Sequence, residues 1–257
     1  MPAEESTPAI VLRARDYAES DRIVTLLTAG AGKLSGIAKG AKASRHRFER
    51  KLEPFSHVML HFRRRPHGQL VFITRAEAGD LAQHTIDDDL AKIALGSYML
   101  ELADALTAEE GEAADAYRVL SAALGTLGNN SANQALRQAF EIGLLRWAGF
   151  GLEFNRCRQC ASIGNGDHSP VYFIVARGGI VCGRCRPLED SGAIKLSAPS
   201  AARLARLAAV AIEDSPGAEP AGVDGAMALS RFMSSILDRR IRSQSFLESV
   251  MPAAGGN

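Results

Sequence analysis

The chain's only four cysteines fall as two C-x-x-C pairs, "CRQC" at Cys157 to Cys160 and "CGRC" at Cys182 to Cys185, with 21 residues between them. Two paired thiolate turns converge into the tetrahedral sulfur environment that suits zinc, and a pair of pairs is far more specific than one C-x-x-C. Between them, "HSPVYFIVARGGIVC" supplies strand-forming residues, with Gly178 and Gly179 making the reversal that returns the second pair to the first. Four thiolates leave no position for a catalytic water. The expected cofactor, one structural Zn2+ on Cys157, Cys160, Cys182 and Cys185, therefore clamps a fold and drives no hydrolysis. Iron shares the preference for soft ligands, and a redox dithiol is the other use of such a pair, although one pair would suffice for it. His168 is an alternative ligand whose ordinary role is that of a loop histidine. Arg158, Arg177, Arg184 and Arg186 offset the field of the thiolates or extend a phosphate-facing surface, and the two roles are compatible.

A net charge of +1 over 257 residues hides a strong asymmetry. Gly30 to Arg75 carries 11 Lys or Arg against 2 Asp or Glu, whereas Ala76 to Arg156 carries 5 against 13. Such separation points to an amino-terminal region that faces a polyanion and an acidic middle region, with solvated charge as the plain alternative. No apolar run approaches the roughly 20 residues that span a bilayer, and the amino terminus lacks the pattern of a signal peptide. A cytoplasmic, nucleoid-associated protein without membrane contact is expected.

Short apolar segments separated by turn residues read as strands at Ile10 to Ala14, Arg22 to Leu27, Lys33 to Ala38, Val58 to Arg63 and Leu70 to Arg75. Five strands in about 75 residues suggest a small barrel, which closes its own edges and displays its loops. Between the third and fourth lies "KGAKASRHRFERKLEPF", with Lys39, Lys42, Arg45, Arg47, Arg50 and Lys51 spaced by small residues. Long cationic side chains meet successive phosphates without demanding a base identity. Arg63, Arg64 and Arg65 extend this path or keep a hairpin turn soluble. Phe48 and Phe55 are candidates for stacking on bases, with packing against the barrel as the ordinary reading. The histidines of this region, His46, His57, His61 and His67, show no ligand spacing.

From Asp87 the period lengthens to that of helices, in "DDDLAKIALGSYMLELADAL", "EGEAADAYRVLSAALGTLG" and "NQALRQAFEIGLLRWAGF". Phe140, Leu144, Leu145 and Trp147 are core candidates that also suit a groove for a partner's short apolar tail. Asp87, Asp88 and Asp89 suit the positive end of a helix dipole, and neighbouring positions on a helix point apart, which argues against a nuclease metal site. Past the cysteines, one helix starts near Ser200, and a single last helix runs through "AMALSRFMSSILDRRIRSQSFLESV", with Arg239, Arg240 and Arg242 near its carboxyl end.

Taken together, "VLRARDYAESDRIVTLLTAGAGKLSGIAKGAKASRHRFERKLEPFSHVMLHF", "QAFEIGLLRWAGFGLEFNRCRQC" and "YFIVARGGIVCGRC" resemble, in order and spacing, the bacterial RecO family of DNA repair proteins over nearly the full length. The resemblance implies an α+β chain: a five-stranded oligonucleotide-binding barrel at 1–80, a helical domain at 81–156 and 199–251, and a four-cysteine zinc-binding insertion at 157–198. It implies a recombination mediator that binds single- and double-stranded DNA, promotes annealing and acts with RecR to help load RecA on DNA coated by single-stranded DNA-binding protein, whose carboxyl-terminal tail it engages. Lys39, Lys42, Arg45, Arg47 and Arg50 match the family's basic segment, and the four cysteines match its zinc-containing members. Phe140, Leu144, Leu145 and Trp147 are the tail-pocket candidates. No catalytic residue is implied, and no G-x-x-x-x-G-K-[ST] phosphate loop is present. The competing readings are a zinc-stapled adaptor that binds proteins without touching DNA and, further off, a metal-dependent nuclease.

Overall fold

The computed structural model describes residues 3–44, 46–48, 51–65, 69–79, 86, 89–109, 111–163, 170–186 and 192–252. Arg45, Arg50, His67, Asp87, Asp88 and His168 lie outside the described residues. Two compact units emerge, residues 1–88 with 96–129, and residues 89–95 with 130–257. Among the described residues no helix is long and apolar enough to cross a membrane.

The first unit is built on strands β1 (Glu5–Tyr17), β2 (Asp21–Thr28), β3 (Lys33–Ala38), β4 (His57–Arg63) and β5 (Val71–Ala78). They close into a barrel in the order β1-β2-β3-β5-β4, an OB-like arrangement. Every neighbouring pair is antiparallel except β3 and β5, which run parallel from Gly36↔Val71 to Ala38↔Ile73. That seam explains Gly36, because a Cβ there would stand 2.7 Å from the Ile73 side chain and 2.9 Å from that of Val71. Register shifts at Val11/Arg13 and His61/Phe62 bend the long strands around the barrel.

Alternating side chains fill the interior with Val11, Val24, Leu26, Val58, Leu60, Phe62 and Ile73. Phe48 and Leu52, from the connection between β3 and β4, join this core at 2% and 1% exposure. Burying such a ring contributes about 1.5–3 kcal/mol, so Phe48 is a core residue and not a stacking platform. Phe55 has a left-handed φ of +72° and sets its ring 2.8 Å from where a Cβ on Gly96 would stand. Its packing partner is thus helix α1 (Leu90–Leu106). Helix α2 (Ala114–Asn129) covers β1 and β2. Asp104 on α1 is 3% exposed and meets Lys33 Nζ at 3.3 Å and Arg13 Nε at 3.4 Å, the pairing a buried carboxylate requires. Asp89 caps α1 by accepting the Ala91 and Lys92 amides at 2.8 and 3.2 Å.

The second unit centres on α3 (Gln134–Trp147), capped by Asn133, whose side chain accepts the Leu136 amide at 2.9 Å. Gln138, buried on α3, accepts the Ala221 amide at 2.8 Å and donates to the Ala221 carbonyl at 3.3 Å. A three-stranded antiparallel sheet in the order β7-β6-β8 follows, from β6 (Val171–Ile174), β7 (Gly179–Cys182) and β8 (Ile194–Leu196). Helix α4 (Ala198–Leu207) begins at the Ser197 cap.

The expected single last helix is two, α5 (Val223–Ile236) and α6 (Ser243–Val250). A continuous helix would extend the buried stripe of Leu229 and Met233 through Ile236 to Arg240, turning a guanidinium inward. The break lets Ile241 and Leu247 reach 3% and 0% exposure instead. It also places Arg239 and Arg240 in the connection, with Arg242 at the amino-terminal cap of α6.

Candidate metal centre and nucleic-acid interface

The Cys157, Cys160, Cys182 and Cys185 sulfurs lie within 4.8 Å of one another, and none forms a disulfide. A tetrahedron of zinc–sulfur bonds of about 2.3 Å spaces its sulfurs by about 3.8 Å, and the Cys160 and Cys182 sulfurs stand 3.8 Å apart. Two turns build the cluster. The first closes through Ala161, at φ +58°, whose amide donates to the Cys157 carbonyl at 2.9 Å. The second is the single turn Gly183–Cys185 that follows β7. The Cys182 amide donates to Cys157 Sγ at 3.4 Å, knitting the two pairs together.

Electrostatics within the cluster call for a cation. The Ser162 hydroxyl and amide pull the Cys160 thiol down to about 6. Cys185 is pushed up to about 12, first by Cys160 and then by Cys182. Four such sulfurs do not ionise together unless a positive ion joins them, and the soft donor set and tetrahedral spacing suit a thiophilic divalent metal. The arginines around the cluster have separate roles. Arg158 lies across Gly179 and donates to the Gly151 carbonyl, Arg177 donates to Gln159 Oε1 at 2.8 Å, and Arg186 sits 4.4 Å over the Tyr172 ring.

The two basic segments leave the barrel on either side of β5 and in opposite directions, because β3 runs parallel to β5 and β4 antiparallel to it. Arg63 pairs with Phe72, and Phe72 with Ile37, so only β5 separates the last residue of β4 from the end of β3, where Lys39 begins the tract. The turn between β1 and β2 shares this level, since Arg22 pairs with Ala38. The tract is fastened to that turn: the Lys42 amide donates to the Ser20 carbonyl at 3.0 Å, and the Gly40 amide to Asp21 Oδ1 at 2.9 Å. Lys39, Lys42, Arg47, Arg64 and Arg65 are exposed, while Lys51 and Arg63 are half-buried.

Several of these cations already hold a partner. Lys42 Nζ lies 3.0 Å from Asp16, Arg64 Nε 3.2 Å from Glu5 and Arg63 Nε 3.9 Å from Glu4. Arg47 donates to the Lys39 carbonyl at 3.1 Å and stands 5.1 Å over the Phe48 ring. The Lys42 ammonium, helped by Arg22, holds the Asp16 carboxyl below the usual carboxylate range. The Thr74 hydroxyl, and then Arg63, do the same for Glu4. Sequence reading missed these acidic partners, because Glu4 and Glu5 face Arg63 and Arg64 only once β1 and β4 are in register. Phe140, Leu144 and Leu145 lie in the core at 0% exposure, and Trp147 alone of the four tail-pocket candidates is partly exposed.

Comparison with known proteins places these features in a family. Residues 1–81 match the family described as recombination protein O, N terminal, and residues 87–245 match recombination protein O, C terminal. The chain is 38% identical over 253 residues to the DNA repair protein RecO of Anaeromyxobacter dehalogenans (strain 2CP-C), covering 96% of this chain and 97% of that one. It is 33% identical to the Streptomyces griseus DNA repair protein RecO, covering 93% and 96%, and 31% identical to that of Symbiobacterium thermophilum, covering 95% and 96%.

Proposed function

The chain belongs to the RecO family, with the role in DNA repair and recombination which that membership carries, and from that premise we propose that it is a noncatalytic recombination mediator working on DNA through its barrel. In this reading the protein binds single- and double-stranded DNA, lowers the repulsion between complementary strands so that they anneal, and helps RecR load RecA on strands coated by single-stranded DNA-binding protein. It acts in the cytoplasm, at the nucleoid. The observation that carries the reading is the exposed cationic tract of Lys39, Lys42 and Arg47, fastened to the turn between β1 and β2 of an OB-like barrel, with the Arg63–Arg65 cluster running from the end of β4 into its connection to β5. The face of the second and third strands and the loops joining strands one to two and four to five are the oligonucleotide-binding parts of such a barrel. Arg45 and Arg50 belong to the same tract by sequence.

Zinc is the proposed metal, held by Cys157, Cys160, Cys182 and Cys185. When bound, it cross-links the two cysteine turns and supplies no reaction chemistry. For the coating protein's tail, Trp147 is the proposed contact, backed by Phe140, Leu144 and Leu145 in the core behind it.

The deciding experiment is salt-dependent binding of metal-loaded protein to labelled single-stranded DNA, beside a folded variant with Ala at Lys39, Lys42, Arg45, Arg47 and Arg50. Binding that weakens with salt, and a weaker and shallower response in the variant, is the expected outcome. Absence of binding by the wild type at low salt would replace this reading with that of a metal-stapled protein adaptor.

A further inference from the structure

A cavity of ≈ 990 Å3 opens on the second unit, beside the cysteine segment and lined by residues of that unit. That size is at the top of the range of about 300–1,000 Å3 typical of ligand sites. Its walls are the turn after α3, the reversal before β7 and the outer face of α5. Each wall has a local cause. The turn is a Schellman closure: the Phe150 amide donates to the Leu145 carbonyl at 2.9 Å and the Gly149 amide to Arg146 at 3.1 Å, with Gly149 at φ +87°. This closure carries Phe150 out of the core to 38% exposure while its ring stays edge-to-face with Phe232, at 5.9 Å and 80°. Phe232 in turn lies against Gly178, within 3.2 Å of where a Cβ would stand.

The rim is cationic. Arg158, Arg177 and Arg231 line the cavity, all three are exposed, and among the described residues no acidic side chain is in its lining. Arg158 is held across Gly179 and to the Gly151 carbonyl, whereas Arg177 gives only Nη1 to the exposed Gln159 side chain, so its other donors and Arg231 are the guanidinium groups placed to meet a ligand. Gly149 and Gly151 flank the exposed ring, and neither has any atom within 4 Å of an added Cβ, so a flat group has free approach along the backbone. An open aromatic face bordered by arginines is what an unpaired base and its phosphates require. A branched apolar peptide side chain instead needs a deep, enclosed socket, whereas Phe150 is 38% exposed.

We propose that this cavity is a second single-stranded nucleic-acid subsite, in which an unstacked base lies on Phe150 while Arg177 and Arg231 hold adjacent phosphates. It does not depend on the barrel being a DNA surface. Duplex DNA keeps its bases stacked, so the subsite acts on single strands alone.

The test uses full-length, metal-loaded protein in four forms: wild type, Phe150→Leu, the pair Arg177→Ala and Arg231→Ala, and a barrel variant with Lys39, Lys42 and Arg47 changed to Ala. Phe150→Leu preserves an apolar contact with Phe232 and so keeps the turn folded. Single-stranded oligothymidylate is expected to bind the Leu variant about 5-fold or more weakly, with duplex affinity unchanged. The arginine pair is expected to lower the salt slope on single strands by about 1.4. An oligothymidylate carrying 5-iodouracil should photo-crosslink within residues 149–151, and should still do so in the barrel variant, which separates this subsite from the barrel reading. Unchanged single-strand affinity and slope in both cavity variants, with no crosslink at 149–151, would overturn the proposal. So would an acidic, phenylalanine-containing peptide that binds in a Phe150-dependent way while the oligonucleotide does not, since the cavity would then be a peptide socket.

Discussion

Asp224 ties two helices together through one carboxylate. It accepts the Ser197 amide at the start of α4 at 2.6 Å, the Ser200 hydroxyl, and the Gly225 amide at 3.0 Å in its own helix, α5. Burial pushes its pKa up, but the hydrogen bonds, led by that of the Ser197 amide, outweigh burial and leave the carboxyl below its ordinary value. The folded pKa is thus lower than the unfolded one of about 3.9. The stabilisation is present above that unfolded value and is lost as pH falls through the folded value. Asp224→Asn should cost about 1 kcal/mol at neutral pH, a modest figure because the carboxylate is partly solvated. Urea unfolding at neutral pH and below pH of about 4 checks this: the gap to wild type should close in acid, and a gap independent of pH would contradict it. Nothing in the sequence marks Asp224, because Ser197 and Ser200, its partners across the two helices, lie more than 20 positions away. The cysteines were legible for the opposite reason, since their spacing is local and their chemistry has few other uses.

At the scale of elements, legibility followed periodicity. Strand β3 runs over Lys33–Ala38, the bounds its alternation suggests, and each of the other barrel strands contains most of its expected segment. The last helix misled because "LDRRIRS" is made of residues that helices tolerate, and only the choice between burying Arg240 and burying Ile241 breaks it. The parallel seam between β3 and β5 was invisible as well, because pairing across the barrel is a long-range fact. Its consequence is testable at Gly36, where Val would drive its methyls into Ile73 and Val71. Overpacking of this kind costs about 1–3 kcal/mol. Gly36→Val should therefore lower the melting temperature measurably and raise hydrogen exchange along β3 and β5. Exchange left at the wild-type level would mean that the seam does not depend on the small residue.

For the whole molecule, the metal segment and the barrel belong to different compact units, which gives metal removal a divided signature. A strong chelator should unfasten the cysteine turns and open Arg158, Arg177, Arg184 and Arg186 to trypsin, while the barrel core of the first unit stays resistant. The single tryptophan, Trp147, sits on α3 of the unit that loses the metal, so its emission should report the change. A cleavage pattern identical with and without metal would show that the cysteines hold themselves together unaided.

The ion pairs on the barrel have a quantitative effect on how the proposed DNA surface would behave. Asp16, Glu4 and Glu5 act as counterions covalently attached to the protein, and a phosphate that displaces one of them frees nothing into solution. Entropy is gained only from mobile ions, so the salt dependence of binding should report fewer cations than the surface displays. Asp16→Asn should therefore tighten DNA binding at low salt and steepen its salt dependence by up to about 1 on the logarithmic slope, both readable in one titration series. A slope unchanged by the substitution would mean that Lys42 never exchanges its carboxylate for phosphate. A surface that carries its own neutralising charge holds nonspecific polyanions less firmly, and so spends less of its time on nucleic acid that is in no need of repair.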